Sequence, residues 1–110
     1  RDELLNCIDE ITESFDCPVF AVGDYNTAED TYSTREVDIP EIYNSLAKKL
    51  IDTKFVSKNQ VCGSEREWLF PSYDHIFMKG NAEINSFCLM SYDYLTDMSD
   101  HYMIFADISL

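Results

Sequence analysis

Apolar residues recur with two different periods along this chain, and the change of period divides it into elements. Over residues 1–15, Leu4, Leu5, Ile8, Ile11 and Phe15 fall at helical spacing, with Asp2, Glu3, Asp9, Glu10 and Glu13 on the other side. That pattern predicts an amphipathic helix. It opens without a convincing N-cap, which suggests a chain cut out of something larger. Pro18–Val22 is an unbroken apolar run, too short for a helix and suited to a strand buried on both faces. Residues 27–38 are polar, acidic and without period, and read as a long loop. Pro40 suits a first helical turn. Ile42, Leu46 and Leu50 then mark one face of a helix ending near Ile51, with Lys48 and Lys49 at its C-terminal end.

From residue 54 the pattern becomes that of strands. Lys54–Ser57 is a short candidate, Asn59–Arg66 a polar loop, and Glu67–Phe70 and Tyr73–Met78 are strands broken by Pro71. Lys79-Gly80-Asn81 predicts a hairpin-type turn into a strand over Ala82–Met90. Ser91–Ser99 reads as a second long loop. Tyr102–Leu110 alternates, with Tyr102, Ile104, Ala106, Ile108 and Leu110 on one side and Met103, Phe105, Asp107 and Ser109 on the other, the pattern of a half-buried strand. There are no internal repeats and no composition shift that marks a domain boundary, so residues 1–110 read as one domain or part of one.

Composition narrows the class. A chain that is 45% hydrophobic and 14% aromatic is not a disordered one. No apolar run approaches the length of a membrane-spanning helix. No signal peptide is visible, although residue 1 is not a methionine and an upstream targeting segment is left open. The net charge of −13 disfavours general binding to a nucleic acid backbone. The excess is uneven: residues 1–38 hold eleven acids against two bases, residues 39–110 ten against six. Some of these carboxylates are therefore candidates for metal ligation. The four cysteines, at 7, 17, 62 and 88, show no Cys-x-x-Cys spacing, which speaks against a zinc site, and they read as buried free thiols rather than disulfides.

Three polar clusters stand at expected strand ends. Gly23-Asp24-Tyr25-Asn26 follows the first apolar run, and Asp24 and Asn26, two apart, point the same way on extended backbone. The stretch is also good turn chemistry, so a simple turn is the competing interpretation. Asp74-His75 lies in the Tyr73–Met78 strand, where alternation puts Asp74 on the face of Ile76 and His75 on that of Phe77. One of the two points toward a site and the other into packing, the usual place for a lone histidine on an apolar face. Ser99-Asp100-His101 stands at a loop-to-strand junction. A carboxylate beside an imidazole fixes its tautomer and raises its basicity, as hydrolytic sites require. Asp100 alone is equally a loop carboxylate.

Taken together, Val-Phe-Ala-Val-Gly-Asp-Tyr-Asn (19–26), Tyr-Asp-His-Ile-Phe (73–77) and Ser-Asp-His-Tyr-Met-Ile-Phe-Ala-Asp (99–107) resemble the endonuclease/exonuclease/phosphatase superfamily, the deoxyribonuclease-I-like fold. The motifs come in the family's order. The helix running into Leu50-Ile51-Asp52-Thr53 is similar to the family's corresponding segment. The last motif departs mildly, with Tyr102-Met103-Ile104 where a proline is common, which bears on strand geometry.

The resemblance implies an α+β fold, the C-terminal half of a four-layer α/β sandwich in which two packed mixed sheets are flanked by helices. It implies a hydrolase of phosphate esters dependent on Mg2+ (or Mn2+), of nuclease, sphingomyelinase-like or inositol-phosphate phosphatase type. By matching positions, Asp24 would orient or activate the attacking water and Asn26 would hold the phosphate. Asp74 would pair with a catalytic His101, Asp100 would associate with the metal together with Asp24, and His75 would be a neighbour rather than a working residue. Oxygen donors of this kind suit magnesium, a hard cation. The family's N-terminal asparagine, metal-binding glutamate and mid-chain histidine have no match here, so the resemblance covers its C-terminal half only. The expected partners are the phosphate-ester substrate and either the N-terminal half or a second copy of the chain. The 110 residues alone are expected to be inactive. The alternative is a catalytically dead interaction module that kept the fold, against which the intact Asp24, Asn26, Asp74 and His101 count.

Overall fold

The computed structural model describes residues 2–25, 27, 40–62, 73–90 and 103–110. It is an α+β arrangement of two small sheets. In chain order the described elements are α1 (Asp2–Glu13), β1 (Val19–Asp24), α2 (Pro40–Ala47), β2 (Ile51–Asp52), a 3-10 turn (Thr53–Phe55), β3 (Asn59–Cys62), β4 (Asp74–Lys79), β5 (Glu83–Met90) and β6 (Met103–Ser109). The first sheet has the order β1-β4-β2, antiparallel throughout, and the second the order β3-β5-β6, with β3 parallel and β6 antiparallel to β5.

β4 is the strand around which the packing is built. His75, Ile76, Phe77 and Met78 are all buried along it, so both of its faces are covered. One face meets the helices. Phe77 is fully buried there with Ile8 of α1 and with Tyr43, Leu46 and Leu50 of α2 and its exit. The other face meets the second sheet, where Ile76 packs with Phe87 and Leu89 of β5 and, less deeply, with Phe20, Ile104 and Ala106. Helices, first sheet and second sheet thus form three successive layers among the described residues, each burying one apolar face of the next. The ion pair between Asp9 and Lys49 ties α1 to the end of α2.

Several sequence expectations are corrected by this topology. Pro18–Val22 was expected to be buried on both faces, but β1 is an edge strand and Val22 is 65% exposed. An apolar run does not say how many neighbours its strand has. Lys54–Ser57 is not a strand, because Asp52 caps a 3-10 turn there by accepting a hydrogen bond from the Lys54 N–H. Asn59–Cys62 is not loop but strand, paired with Ser86–Leu89. Lys79-Gly80-Asn81 does not close a hairpin: β4 and β5 belong to different sheets, and the segment carries the chain from one to the other. Gly80 has φ of 98°, a left-handed backbone that glycine adopts without cost.

The helical stripe of α1 is narrower than expected. Leu5, Ile8 and Thr12 face inward, whereas Leu4, Ile11 and Phe15 are exposed. Thr12 is accommodated by donating its hydroxyl to the Ile8 carbonyl at 2.7 Å. Cys7 and Cys17, expected to be buried, are exposed, and Cys88 is buried as expected. β6 alternates as its sequence predicts, with Ile104, Ala106 and Ile108 turned inward. Of the solvent loop expected at 27–38, Thr27 alone is described and it is fully buried; residues 28–38, the loop expected at 91–99 and the strand expected at 67–70 lie outside the described residues. No helix among the described residues is long and apolar enough to cross a membrane.

Candidate active site

The antiparallel register between β1 and β4 sets Asp24 directly opposite Asp74, the last and first residues of their strands. Residues opposed in this way share a face of the sheet. The next pair along, Tyr25 and Tyr73, is joined by a backbone hydrogen bond of 2.8 Å from the Tyr25 N–H to the Tyr73 carbonyl. Asp24 and Asp74 therefore occupy the alternate, non-hydrogen-bonded kind of position, where opposed Cα atoms are closest, about 4.5 Å apart. Two carboxylates separated by fifty residues of sequence stand side by side at one end of the first sheet. Asp24 is exposed and Asp74 half-buried, so the site is open to solvent.

The face they occupy is the one turned toward the second sheet. Alternation along β4 puts Asp74 with Ile76, which packs on Phe87 and Leu89. His75 points the other way, as its sequence pattern predicts, and is buried against the helices. Its Nε2 lies 2.7 Å from the Thr27 carbonyl, and its Nδ1 lies 3.4 Å from Asp52 Oδ2. A carbonyl only accepts, so Nε2 carries the proton of that bond.

Asp52 is itself buried, and three groups meet its carboxylate. The Tyr43 hydroxyl donates to Oδ2 at 2.8 Å, the Lys54 N–H donates to Oδ1 at 3.1 Å, and His75 stands beside Oδ2. Burying a carboxylate is tolerable only with such partners. Thr27, fully buried, accepts the Tyr43 N–H at 2.9 Å through its hydroxyl. That N–H lies in the first turn of α2, so Thr27 is tied to the start of the helix from sixteen residues upstream. Aromatic rings close the network: Tyr43 and Phe77 lie 5.1 and 5.2 Å from His75, and Tyr25 meets Phe77 edge-on at 5.3 Å. Burial pushes the Tyr25 phenol above its ordinary value.

Of the residues singled out from sequence, Asp24 and Asp74 are brought together. Asn26, Asp100 and His101 lie outside the described residues. The Thr27–Tyr43–Asp52–His75 network was not foreseen. Its one sequence signal was a carboxylate directly after Leu50-Ile51, an acid in a place that favours burial. Among the described residues no group of three or more His, Cys, Asp or Glu side chains is placed to hold a metal ion. The Asp24–Asp74 pair offers hard oxygen donors, the ligand type of magnesium, which takes one or two carboxylates and keeps several waters.

No protein-family model matches the sequence, and no curated protein matches it. Among solved structures, the chain is similar to an endonuclease/exonuclease/phosphatase family protein from Leptotrichia buccalis C-1013-b, with a TM-score of 0.58 and 19% identity. The match takes in 94% of this chain and 41% of that one, so the chain spans less than half the length of its structural neighbour. The chain accordingly has part of the fold of the endonuclease/exonuclease/phosphatase proteins.

Proposed function

We propose that this chain is the C-terminal part of a metal-dependent phosphoesterase, with Asp24 and Asp74 at its catalytic centre. The observation that carries this reading is the register pairing of the two carboxylates at the strand ends of this fold. Like charges directly opposed on a sheet cost free energy. A protein that keeps them so gains from a positive group between or beside them. A divalent cation, protonated His101, or both together, would meet that need.

In this reading Asp24 orients the attacking water, and Asn26, two residues on, holds a phosphoryl oxygen. Asp74 pairs with His101 and keeps its imidazole oriented to meet the phosphate or protonate the leaving oxygen. Asp100 and Asp24 are the carboxylates for magnesium or manganese. A bound divalent ion supplies positive charge to the phosphoryl oxygens, where most of the catalytic effect in phosphoryl transfer arises. The acidity of the chain favours a small or headgroup-type phosphate ester over a long nucleic acid, whose backbone it would repel.

The same reading extends to partners. Val61, Met103 and Phe105 are 51%, 42% and 49% exposed on the side of the second sheet away from the first. An apolar patch of this kind is normally covered. We assign its cover to the N-terminal half of the same domain, a reading supported by the structural neighbour's being more than twice the length that this chain matches.

Hydrolysis of a phosphate ester by the whole protein tests the reading. Turnover is expected to require magnesium or manganese and to vanish on chelation. His101→Ala is expected to lower it by roughly two to four orders of magnitude, the range for a positioned acid–base group. Activity undiminished in chelator would contradict the metal-dependent mechanism.

A further inference from the structure

We propose that His75 is a positioning residue: through its bond to the Thr27 carbonyl it fixes the backbone that leaves Asp24 at the end of β1. The inference rests on Asp24 acting in the site proposed above, and it gives His75 a task that the catalytic assignment leaves it without.

The argument follows the backbone from Asp24 onward. Asp24 is held by the β1–β4 ladder, and the Tyr25 N–H continues that ladder by one bond to Tyr73. Beyond Tyr25 the strand has ended, yet two residues later Thr27 is completely buried and bonded at two points. Its carbonyl accepts from His75 Nε2, and its hydroxyl accepts from the Tyr43 N–H. Residues 24 and 27 are therefore anchored to β4 and to α2. A loop end held at both its carbonyl and its side chain has little freedom, and a site built on it inherits that rigidity.

His75 is suited to the task by its surroundings. The Asp52 carboxylate stands beside Nδ1 while Nε2 points to Thr27, and Tyr43 and Lys54 hold Asp52 in turn. Tyr43 closes the circuit, since its N–H bonds Thr27 while its hydroxyl bonds Asp52. The Thr27 carbonyl is thus connected through His75, Asp52 and Tyr43 back to the hydroxyl of the same threonine. Alternation along β4 puts His75 on the opposite side from Asp74, so its action on Asp24 runs through the backbone at Thr27.

Two amide substitutions of different reach separate positioning from bulk. In His75→Gln the carboxamide nitrogen falls near the place of Nε2 and can still donate to Thr27. In His75→Asn it falls near Nδ1 and cannot. In the whole protein, His75→Asn is expected to lower kcat about 10- to 100-fold with KM nearly unchanged, the scale on which misplacement by about an ångström acts. His75→Gln is expected to recover most of that loss. Amide hydrogen exchange supplies a readout independent of activity: the Tyr25 N–H should exchange faster in His75→Asn and return toward wild-type protection in His75→Gln, while the β5–β6 amides keep theirs.

Equal kcat and equal Tyr25 protection in wild type and His75→Asn would overturn the inference. So would a Gln variant as impaired as the Asn variant, or an Asn variant that fails to fold, since His75 would then serve stability only. If the wild-type protein hydrolyses no phosphate ester, the proposed function fails by itself, and the exchange comparison alone decides for or against the positioning role.

Discussion

Single residues at the end of the first sheet are the ones to which the chemistry is assigned in the proposed function, and their legibility in the sequence was uneven. Asp24 and Asp74 were marked by their place beside apolar runs, and the period of two correctly separated Asp74 from His75. The network behind them was not legible. Thr27 looked like the first residue of a solvent loop, yet it is fully buried and its hydroxyl accepts the Tyr43 N–H of α2. Such a non-local contact leaves no periodic trace. Asp52 likewise gave no hint of Tyr43 or His75, which are near it only in the folded chain.

Tyr25 permits a prediction at this scale. Burial raises its phenol above the ordinary value of 10.0, so the fold favours the protonated form. Below that value the phenol is neutral in folded and unfolded chains and its contribution is whole. The contribution is lost as pH rises from there through the higher folded value. Thermal unfolding of the whole protein should therefore show a falling Tm above about pH 10, less steep in Tyr25→Phe, which keeps the ring on Phe77. Identical alkaline limbs in the two proteins would show that Tyr25 ionises no differently in the fold.

At the scale of elements, sequence patterns named most of them and misjudged how they join. The helical stripes at 2–13 and 40–47 and the alternation at 103–109 follow directly from apolar spacing. The errors share a cause, which is that pairing is decided by the whole sheet. An apolar run such as Pro18–Val22 looks central, but the central strand of the first sheet is β4. Asn59–Cys62 looks too polar for a strand, and it is one because β5 offers it a parallel edge. Gly80 looks like a hairpin glycine, and its left-handed backbone serves instead to send the chain from one sheet to the other. A bulge between Ile84 and Ser86 shifts the register of β5 against β6, so the alternation of Tyr102–Leu110 read in isolation overstates the regularity of that pairing.

At the scale of the molecule, the layering explains why one face of the second sheet should need a partner. The first sheet is covered on both sides, by α1 and α2 and by the second sheet. Val61, Met103 and Phe105 line the far side of the second sheet and remain well exposed. If the N-terminal half covers them in the whole protein, the isolated 110-residue chain should self-associate in size-exclusion chromatography and show no phosphoesterase activity. Co-expression with that half should restore a single species of the combined mass. An isolated chain running as a stable, active monomer would refute both the covering and the need for it.

The central claim is that the opposed carboxylates of β1 and β4 are catalytic, and the turnover of the Asp24→Ala whole protein on a phosphate ester, at saturating magnesium, tests it most directly. Because Asp24 is exposed at a strand end, its removal should leave folding intact while lowering kcat by roughly two to four orders of magnitude, as expected for a group that acts in the transition state. A folded Asp24→Ala protein that hydrolyses the ester at the wild-type rate would contradict the account.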